Sequence, residues 1–187
     1  MNHGNLGRQR RGFTLMELIV VIAVIAILAG LVLYALPGIW IKIKRSQTEL
    51  WLKELESGLS AYQQDNGMYP VNSSNGIEGA FVLYKYLSGD SDGDGMLDPV
   101  SVGTKVYLEG IDWNTAKDQD QQRVGIVAGR YALVDPFGSP IRYLAEPPGK
   151  KKKTTRNPTY DLWSLGGAKP GSTATKDLSK WIRIEDL

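Results

Sequence analysis

The chain has 187 residues and a formal net charge of +2, a length that suits one domain plus an appendage and a charge that gives no argument for a nucleic-acid partner. It contains no cysteine, which excludes disulfides, thiolate metal sites and cysteine nucleophiles. Its one histidine is His3, so removal of the first dozen residues would also exclude histidine triads, histidine zinc sites and imidazole bases.

The N-terminus begins with a short, polar and basic segment, residues 1–12, whose arginines directly precede a hydrophobic stretch. Residues 13–36 are apolar or small, with three exceptions: Thr14, Glu17 and Tyr34. As a helix rising ~1.5 Å per residue, this stretch is about 36 Å long and can cross a hydrocarbon core of ~30 Å. The basic residues predict that the N-terminal side stays in the cytoplasm and that the C-terminal body lies outside.

An ordinary secretory signal peptide or signal anchor is the alternative interpretation of this stretch. The apolar region of a signal peptide usually has about 7–15 residues and ends at a small-residue cleavage site. Here the run is longer, and its small residues at 26–30 fall in the middle. Glu17 also places a carboxylate inside the apolar segment, which costs a few kcal/mol unless it finds a partner. An intramembrane carboxylate of this kind predicts a functional role.

The hexapeptide GFTLME at residues 12–17 resembles the processing signal of type IV pilins and type II secretion pseudopilins. The resemblance implies that a prepilin peptidase cuts between Gly12 and Phe13, that Phe13 is then N-methylated, and that Glu17 assists assembly. Cleavage would expose a positive α-amine on Phe13. Glu17 of an incoming subunit can pair with that amine in its neighbour, which neutralises a charge that would otherwise be alone in the bilayer or filament core.

The helix is predicted in two parts, a hydrophobic transmembrane and filament-core part over residues 13–38 and an amphipathic continuation over residues 39–66. Apolar residues recur in the continuation at three- and four-residue spacing: Trp40, Ile43, Leu50, Leu52, Leu55, Leu59 and Tyr62. Asn66 and Gly67 are predicted to end it. A basic group past the membrane exit is interpreted as an interfacial collar, with an anionic-lipid site as the alternative: Lys42, Lys44 and Arg45.

Residues 67–187 are predicted to form the globular domain. A second helix is expected over residues 77–88, followed by strands whose candidates are rich in β-branched and aromatic residues: 105–108, 130–134, 141–145, 159–164 and 181–184. Asp135 to Gly138 fits a turn with proline second and glycine fourth. A long N-terminal helix packed on a small antiparallel sheet is an α+β arrangement, and it resembles the pilin fold.

Three motifs of this domain resemble the major pseudopilin of type II secretion: GMYP at 67–70, DPFG at 135–138 and YDLWSLG at 160–166. The resemblance implies a structural subunit that polymerises with copies of itself into a periplasmic filament driving protein secretion. It also implies a prepilin peptidase, an inner-membrane assembly platform and minor pseudopilins as partners. The precursor would be a single-pass protein of the bacterial inner membrane with a periplasmic C-terminal domain.

Three alternatives stay open at this stage. The chain could be a major or minor subunit of a type IV pilus, although it lacks the C-terminal cysteine pair found in many of those pilins. It could be a membrane-anchored calcium-binding module that never polymerises. An enzyme would need carboxylate-only catalysis, as in glycosidases, and no paired-carboxylate motif favours it.

An acidic loop within residues 89–100 predicts a calcium site, because calcium takes six to eight oxygen ligands and glycines let such a loop wrap around an ion. The order of its residues resembles an EF-hand loop, with carboxylates from Asp90, Asp92 and Asp94, the carbonyl of Met96 and a further oxygen from Asp98. The glutamate that closes an EF-hand is missing. A solvated acidic turn is the alternative.

The pseudopilin resemblance implies a different calcium site in the C-terminal loop. Carried over residue by residue, Ser164, the carbonyl of Leu165 and Asp177 match the family pattern. The family's aspartates near Ala168 and directly before Asp177 are absent, and the latter position carries Lys176. These replacements argue against transfer of the family site to this chain.

Overall fold

The computed structural model describes residues 13–74, 76–99, 103–116, 123–149, 155–168 and 182–186, apart from the side chains of residues 35–37 and 186. The chain divides into two compact units, Met1–Lys42 and Ile43–Leu187. Both predicted parts of the long helix belong to one helix, α1, which spans Leu15–Asn66. It ends where predicted, because Gly67 adopts a φ of +74° and its N–H bonds back to the carbonyl of Gln63 at 2.8 Å.

In the first unit, α1 has the length and composition of a membrane span. None of its most apolar 18-residue window is buried within the chain. Apolar side chains therefore face outward along its whole length, as in a helix whose partners are lipid or other subunits. This exposure agrees with the hydrophobic part predicted over residues 13–38.

In the second unit, α1 buries one face against the globular body. The residues that line this face recur at helical spacing and are almost inaccessible: Thr48, Trp51, Leu52, Leu55 and Leu59. Burying one leucine fully is worth about 1.5–3 kcal/mol. The indole N–H of Trp51 also donates to the carbonyl of Val134 at 3.1 Å, which ties the helix to the strand region.

Helix α2, Glu78–Leu87, lies where the second helix was predicted. Its packing depends on Gly79, because a Cβ at that position would lie 2.4 Å from the carbonyl oxygen of Tyr143. Helix and strand backbones can approach this closely only over a residue without a side chain. Tyr143 itself is fully buried, and its hydroxyl donates to the carbonyl of Pro70 at 2.8 Å.

The predicted antiparallel structure is confirmed, but it consists of two sheets among the described residues. A hairpin pairs β1 (Val124–Val127) with β2 (Arg130–Leu133). A three-stranded sheet has the order β3-β4-β5 and contains β3 (Arg142–Ala145), β4 (Tyr160–Ser164) and β5 (Ile182–Arg183). A short helix α3, Trp113–Ala116, precedes the hairpin, and a 3₁₀ turn, Ile184–Asp186, follows β5. The predicted α+β class is confirmed.

One strand prediction was wrong, and one strand was missed. Residues 105–108 form no strand, because the N–H groups of Tyr107 and Leu108 both donate to the carbonyl of Leu87 and so cap the end of α2. Strand β1 was missed. Its hairpin turns through Ala128 and Gly129 at φ values of 49° and 77°, and alanine in the left-handed region is uncommon enough to give no turn signal.

Candidate assembly and metal sites

Glu17 is held by the first turn of its own helix. Its Oε2 accepts two hydrogen bonds of 2.8 Å, from the backbone N–H and the hydroxyl of Thr14. The Thr14 hydroxyl accepts the N–H of Glu17 in return at 3.2 Å. This reciprocal pair is a capping box, in which a threonine before the helix and a glutamate three residues later satisfy two otherwise unpaired N–H groups.

The cap holds the Glu17 carboxylate against the N–H of Thr14, the residue that follows the exposed Phe13 at the start of the described chain. Sequence reasoning assigned Glu17 a partner in a neighbouring subunit and missed the partner within its own chain. The signal was available, since a threonine followed three residues later by glutamate is the sequence signature of this cap. Gly12, the predicted residue before the cleavage site, lies outside the described residues.

The acidic loop brings three of its predicted ligands together. One carboxylate oxygen from each of Asp90, Asp92 and Asp94 lies within 4.8 Å of the others. Gly93 and Gly95 allow this turn, because both have positive φ values, 79° and 92°. Asp90 is fully buried, whereas Asp92 and Asp94 are exposed.

Asp90 organises the loop through its side chain. Its Oδ1 accepts the N–H groups of Gly93 at 2.7 Å and Asp94 at 3.2 Å. Its Oδ2 accepts the Tyr84 hydroxyl at 2.6 Å and the N–H of Gly95 at 2.8 Å. A carboxylate has about four acceptor sites, and all of them are used here. Burial, together with the bond to Asp90, raises the pKa of Tyr84 well above its ordinary value.

Asp98 has a separate role at the base of the loop. Its Oδ2 accepts hydrogen bonds from the N–H and hydroxyl of Ser91 and from the hydroxyl of Thr104. The bond from the Ser91 hydroxyl is the main reason that the pKa of Asp98 is lowered. Met96 donates its N–H to Asp94 at 2.8 Å. Of the five predicted ligands, Asp90, Asp92 and Asp94 therefore lie together, whereas Asp98 closes the base of the loop.

The second candidate metal site is described only in part, because Asp177 and Lys176 lie outside the described residues. The Ser164 hydroxyl donates to Oδ2 of Asp135 and accepts the N–H of Gly166 at 3.0 Å. The carbonyl of Leu165 accepts the N–H of Ala168 at 3.0 Å. Both described ligand groups thus already have partners within the protein.

Asp135 was not predicted as a site residue, yet it is central to this region. It is 1% exposed, and its Oδ1 accepts the N–H groups of Phe137 at 2.9 Å and Ser139 at 2.8 Å. Burial raises its pKa, against the opposing effect of the Ser164 bond. The bond from the Gly138 N–H to the Asp135 carbonyl, 2.8 Å, confirms the turn predicted over these residues.

Lys44, interpreted from sequence as part of an interfacial collar, contacts the globular body. Its ammonium group lies 5.6 Å from the centre of the Phe137 ring, within range of a cation–π interaction. Its positive charge also acts to lower the pKa of Asp135. Lys44 therefore links α1 to the turn that precedes β3.

Comparison with known proteins places these features in a family. Residues 7–33 match the prokaryotic N-terminal methylation motif. Over 176 residues the chain is 30% identical to the type II secretion system core protein G of Pseudomonas aeruginosa, an alignment covering 93% of this chain and 96% of that protein. The chain belongs to the type II secretion system core protein G family.

Further members of the core protein G family are also similar to it. The protein from Vibrio cholerae is 26% identical over 182 residues, which is 96% of this chain and 97% of the relative. The protein from Pectobacterium carotovorum is 41% identical over 69 residues, which is 37% of this chain and 44% of the relative. No solved structure gives a significant match.

Family membership confirms the resemblance on which the sequence interpretation depended. The chain is a pseudopilin, a pilin-like structural subunit that is processed by a prepilin peptidase and polymerises into the pseudopilus of type II secretion. The alternatives of a type IV pilus subunit and of a calcium-binding module that does not polymerise are set aside.

Proposed function

We propose that the mature subunit begins at Phe13, carries an N-methyl group there, and assembles by pairing Glu17 with the α-amine of Phe13 in a neighbouring copy. The observation that carries this proposal is the cap between Thr14 and Glu17 at the start of an exposed apolar helix. It holds a carboxylate against the N–H of Thr14, the residue that follows the one whose amine cleavage would expose.

The cap gives Glu17 a partner before assembly as well as after it. A carboxylate in an apolar phase is costly unless its charge or its acceptor sites are satisfied. Thr14 occupies only Oε2 of Glu17 among the contacts of the described chain. The other oxygen, Oε1, can accept an ammonium group from a neighbour while the cap stays formed.

Mass spectrometry of the protein isolated from the membrane tests the proposed N-terminus. The expected mass is that of a chain starting at Phe13 with one added methyl group. A chain that keeps residues 1–12, or one that starts elsewhere in the helix, would refute the assigned cleavage site. A correct N-terminus without the methyl group would refute the modification alone.

We also propose that residues 43–187 function in the periplasm, since the basic leader favours a cytoplasmic N-terminus. Protease added to spheroplasts should digest the globular body. Protection until the membrane is broken would place the body in the cytoplasm instead.

An inner-membrane assembly platform and minor pseudopilins are the proposed partners of the chain. Its role is structural rather than enzymatic.

Calcium is the proposed ligand of the acidic loop. Asp92 and Asp94 offer exposed carboxylates beside Asp90, and their charges repel one another unless a cation lies between them. Water would supply the remaining ligands, as it often does in calcium sites. Because Asp90 already accepts four hydrogen bonds, Asp92 and Asp94 would provide most of the protein's share of the binding.

A further inference from the structure

The calcium site that the family pattern implies after β4 does not fit the residues present. Calcium needs six to eight oxygens, but the Ser164 hydroxyl and the Leu165 carbonyl are already bonded within the protein. The family pattern has an aspartate near Ala168. Ala168 is 8% exposed and packs in an apolar cluster with Leu144, Trp163 and Leu165, so its side chain offers calcium a buried methyl group and no ligand atom.

We propose that this pseudopilin holds the segment after β4 against the turn before β3 without a metal. The contacts between that turn and the end of β4 that do so are called the clasp. The clasp consists of Asp135 and Phe137 on the turn, and Ser164 and Gly167 at and beyond the strand end. All four residues belong to the described second unit.

The polar half of the clasp is the buried bond from the Ser164 hydroxyl to Asp135. Asp135 is fixed by its own turn, because the N–H groups of Phe137 and Ser139 both bind its other oxygen. A hydrogen bond to a charged, buried acceptor is among the stronger ones in proteins. The Asp135 carboxylate is therefore held in place by its turn before Ser164 binds it. The Ser164 hydroxyl can donate to it only when the end of β4 lies against this turn.

The apolar half of the clasp is the contact of Phe137 with Gly167. A Cβ on Gly167 would lie 2.8 Å from Cδ1 of the Phe137 ring, and its φ of +87° is one that side-chain-bearing residues rarely adopt. Lys44 of α1 lies over the same ring at 5.6 Å. Phe137 thus contacts both the long helix and the segment after β4.

The test uses the full-length protein in detergent, with Asp92→Asn and Asp94→Asn introduced to remove the proposed calcium response of the acidic loop. Thermal unfolding is measured with calcium and with EGTA, together with hydrogen exchange at residues 165–168. The expected melting temperature is the same in both media. Because these two substitutions are present in every variant of this test (the background), the comparison of melting temperatures does not depend on whether the acidic loop binds calcium.

Adding Ser164→Ala should lower the melting temperature by about 5 °C in both media, since it leaves a buried acceptor of Asp135 without its donor. Exchange at residues 165–168 should become faster. Ser57→Ala, on the exposed face of α1, is the matched control and should change neither quantity. An unchanged melting temperature and unchanged exchange in Ser164→Ala would overturn the proposal.

A calcium response that persists in the background and disappears with Asp177→Asn would also overturn it, because the family site would then be functional. If Ser164→Ala fails to fold in either medium, Asp135→Asn takes its place, since an amide oxygen can still accept the turn's two N–H groups. A variant that folds only with calcium would contradict a metal-free clasp.

Discussion

Thr14 and Glu17 bind each other at the start of α1: the Thr14 hydroxyl donates to the Glu17 carboxylate at 2.8 Å and accepts the Glu17 N–H at 3.2 Å. One carboxylate therefore has two separable properties. It caps a helix, which needs only an acceptor, and it carries a charge, which pairing with an α-amine requires.

Glu17→Ala should insert in the membrane normally, because removing a charge favours the bilayer. Pseudopilus assembly should fall at least tenfold, measured by cross-linking between subunits in cells. Glu17→Gln separates the two properties, since glutamine also serves as the third residue of a capping box. We expect it to fail in assembly like alanine. Assembly at the wild-type level in Glu17→Gln would mean that the cap, and not the charge, is what Glu17 contributes.

Processing should depend on Gly12. Replacing it with leucine puts a bulky side chain directly before the predicted scissile bond, and the precursor should accumulate uncut. Gel mobility and mass spectrometry of the membrane fraction report the result. Gly7→Leu, also within the leader but away from the junction, is the control and should be cut normally. A Gly12→Leu precursor processed as fast as the control would count against cleavage at this position.

Calcium removal should lower the melting temperature of the full-length protein if the acidic loop binds the ion, because a ligand of the folded state stabilises it by mass action. Asp92→Ala combined with Asp94→Ala should abolish the response to EGTA. Ser91→Ala is a useful comparison, since it removes a hydroxyl that bonds Asp98 and leaves the grouped carboxylates in place. It should lower stability while keeping the calcium response. A response that survives in the double variant would refute this site.

The close approach of α2 to β3 predicts that Gly79→Ala destabilises the fold. The new Cβ would lie 2.4 Å from the carbonyl oxygen and 2.6 Å from the nitrogen of Tyr143, and backbone atoms cannot move aside as a flexible side chain does. We expect a loss of about 2 kcal/mol in the free energy of unfolding. Gly76→Ala is the control, because its nearest neighbour would be the Ser74 hydroxyl at 3.5 Å. Equal stability of the two variants, measured by urea unfolding, would contradict this packing.

The ion pair of Lys105 and Asp65 predicts a pH dependence. Its hydrogen bond lowers the pKa of Asp65 below 3.8 and raises that of Lys105 above 10.5. The Asp65 contribution is present above pH 3.8 and lost as the pH falls through its lowered pKa, whereas the Lys105 contribution is lost as the pH rises through its raised pKa. The stability difference between wild type and Lys105→Gln should therefore be largest from about pH 4 to 10.

That difference should be small and should shrink in high salt, because both groups are exposed. Lys53→Gln, an exposed lysine on α1, controls for the loss of one positive charge. A Lys105→Gln effect that grows below pH 3 would contradict the sign of the Asp65 shift.

Elements that depend on local pattern were predictable from the sequence. The end of α1 at Asn66 follows from the glycine after it, and the turn from Asp135 to Gly138 follows from its proline and glycine. Helix α2 was also placed correctly. In each case neighbours in the chain determine the structure, so a short window of sequence contains the cause.

Features that depend on distant partners were not predictable in this way. Residues 105–108 alternate like a strand, but the end of α2 offers their N–H groups a carbonyl, and only the folded chain brings it there. The bond from Ser164 to Asp135 joins residues 29 apart in sequence. Likewise, the sequence shows five potential calcium ligands in one loop and cannot show that Asp98 bonds Ser91 and Thr104 instead.

The unequal burial of the acidic loop's aspartates has an evolutionary consequence. Asp90 supports the loop from inside, so substitutions there remove a buried acceptor that four donors need. Asp92 and Asp94 project outward, and their loss leaves those four bonds in place. If the loop binds calcium as proposed, a lineage can therefore gain or lose sensitivity to the ion by changing two surface positions, while the buried Asp90 is kept for the fold.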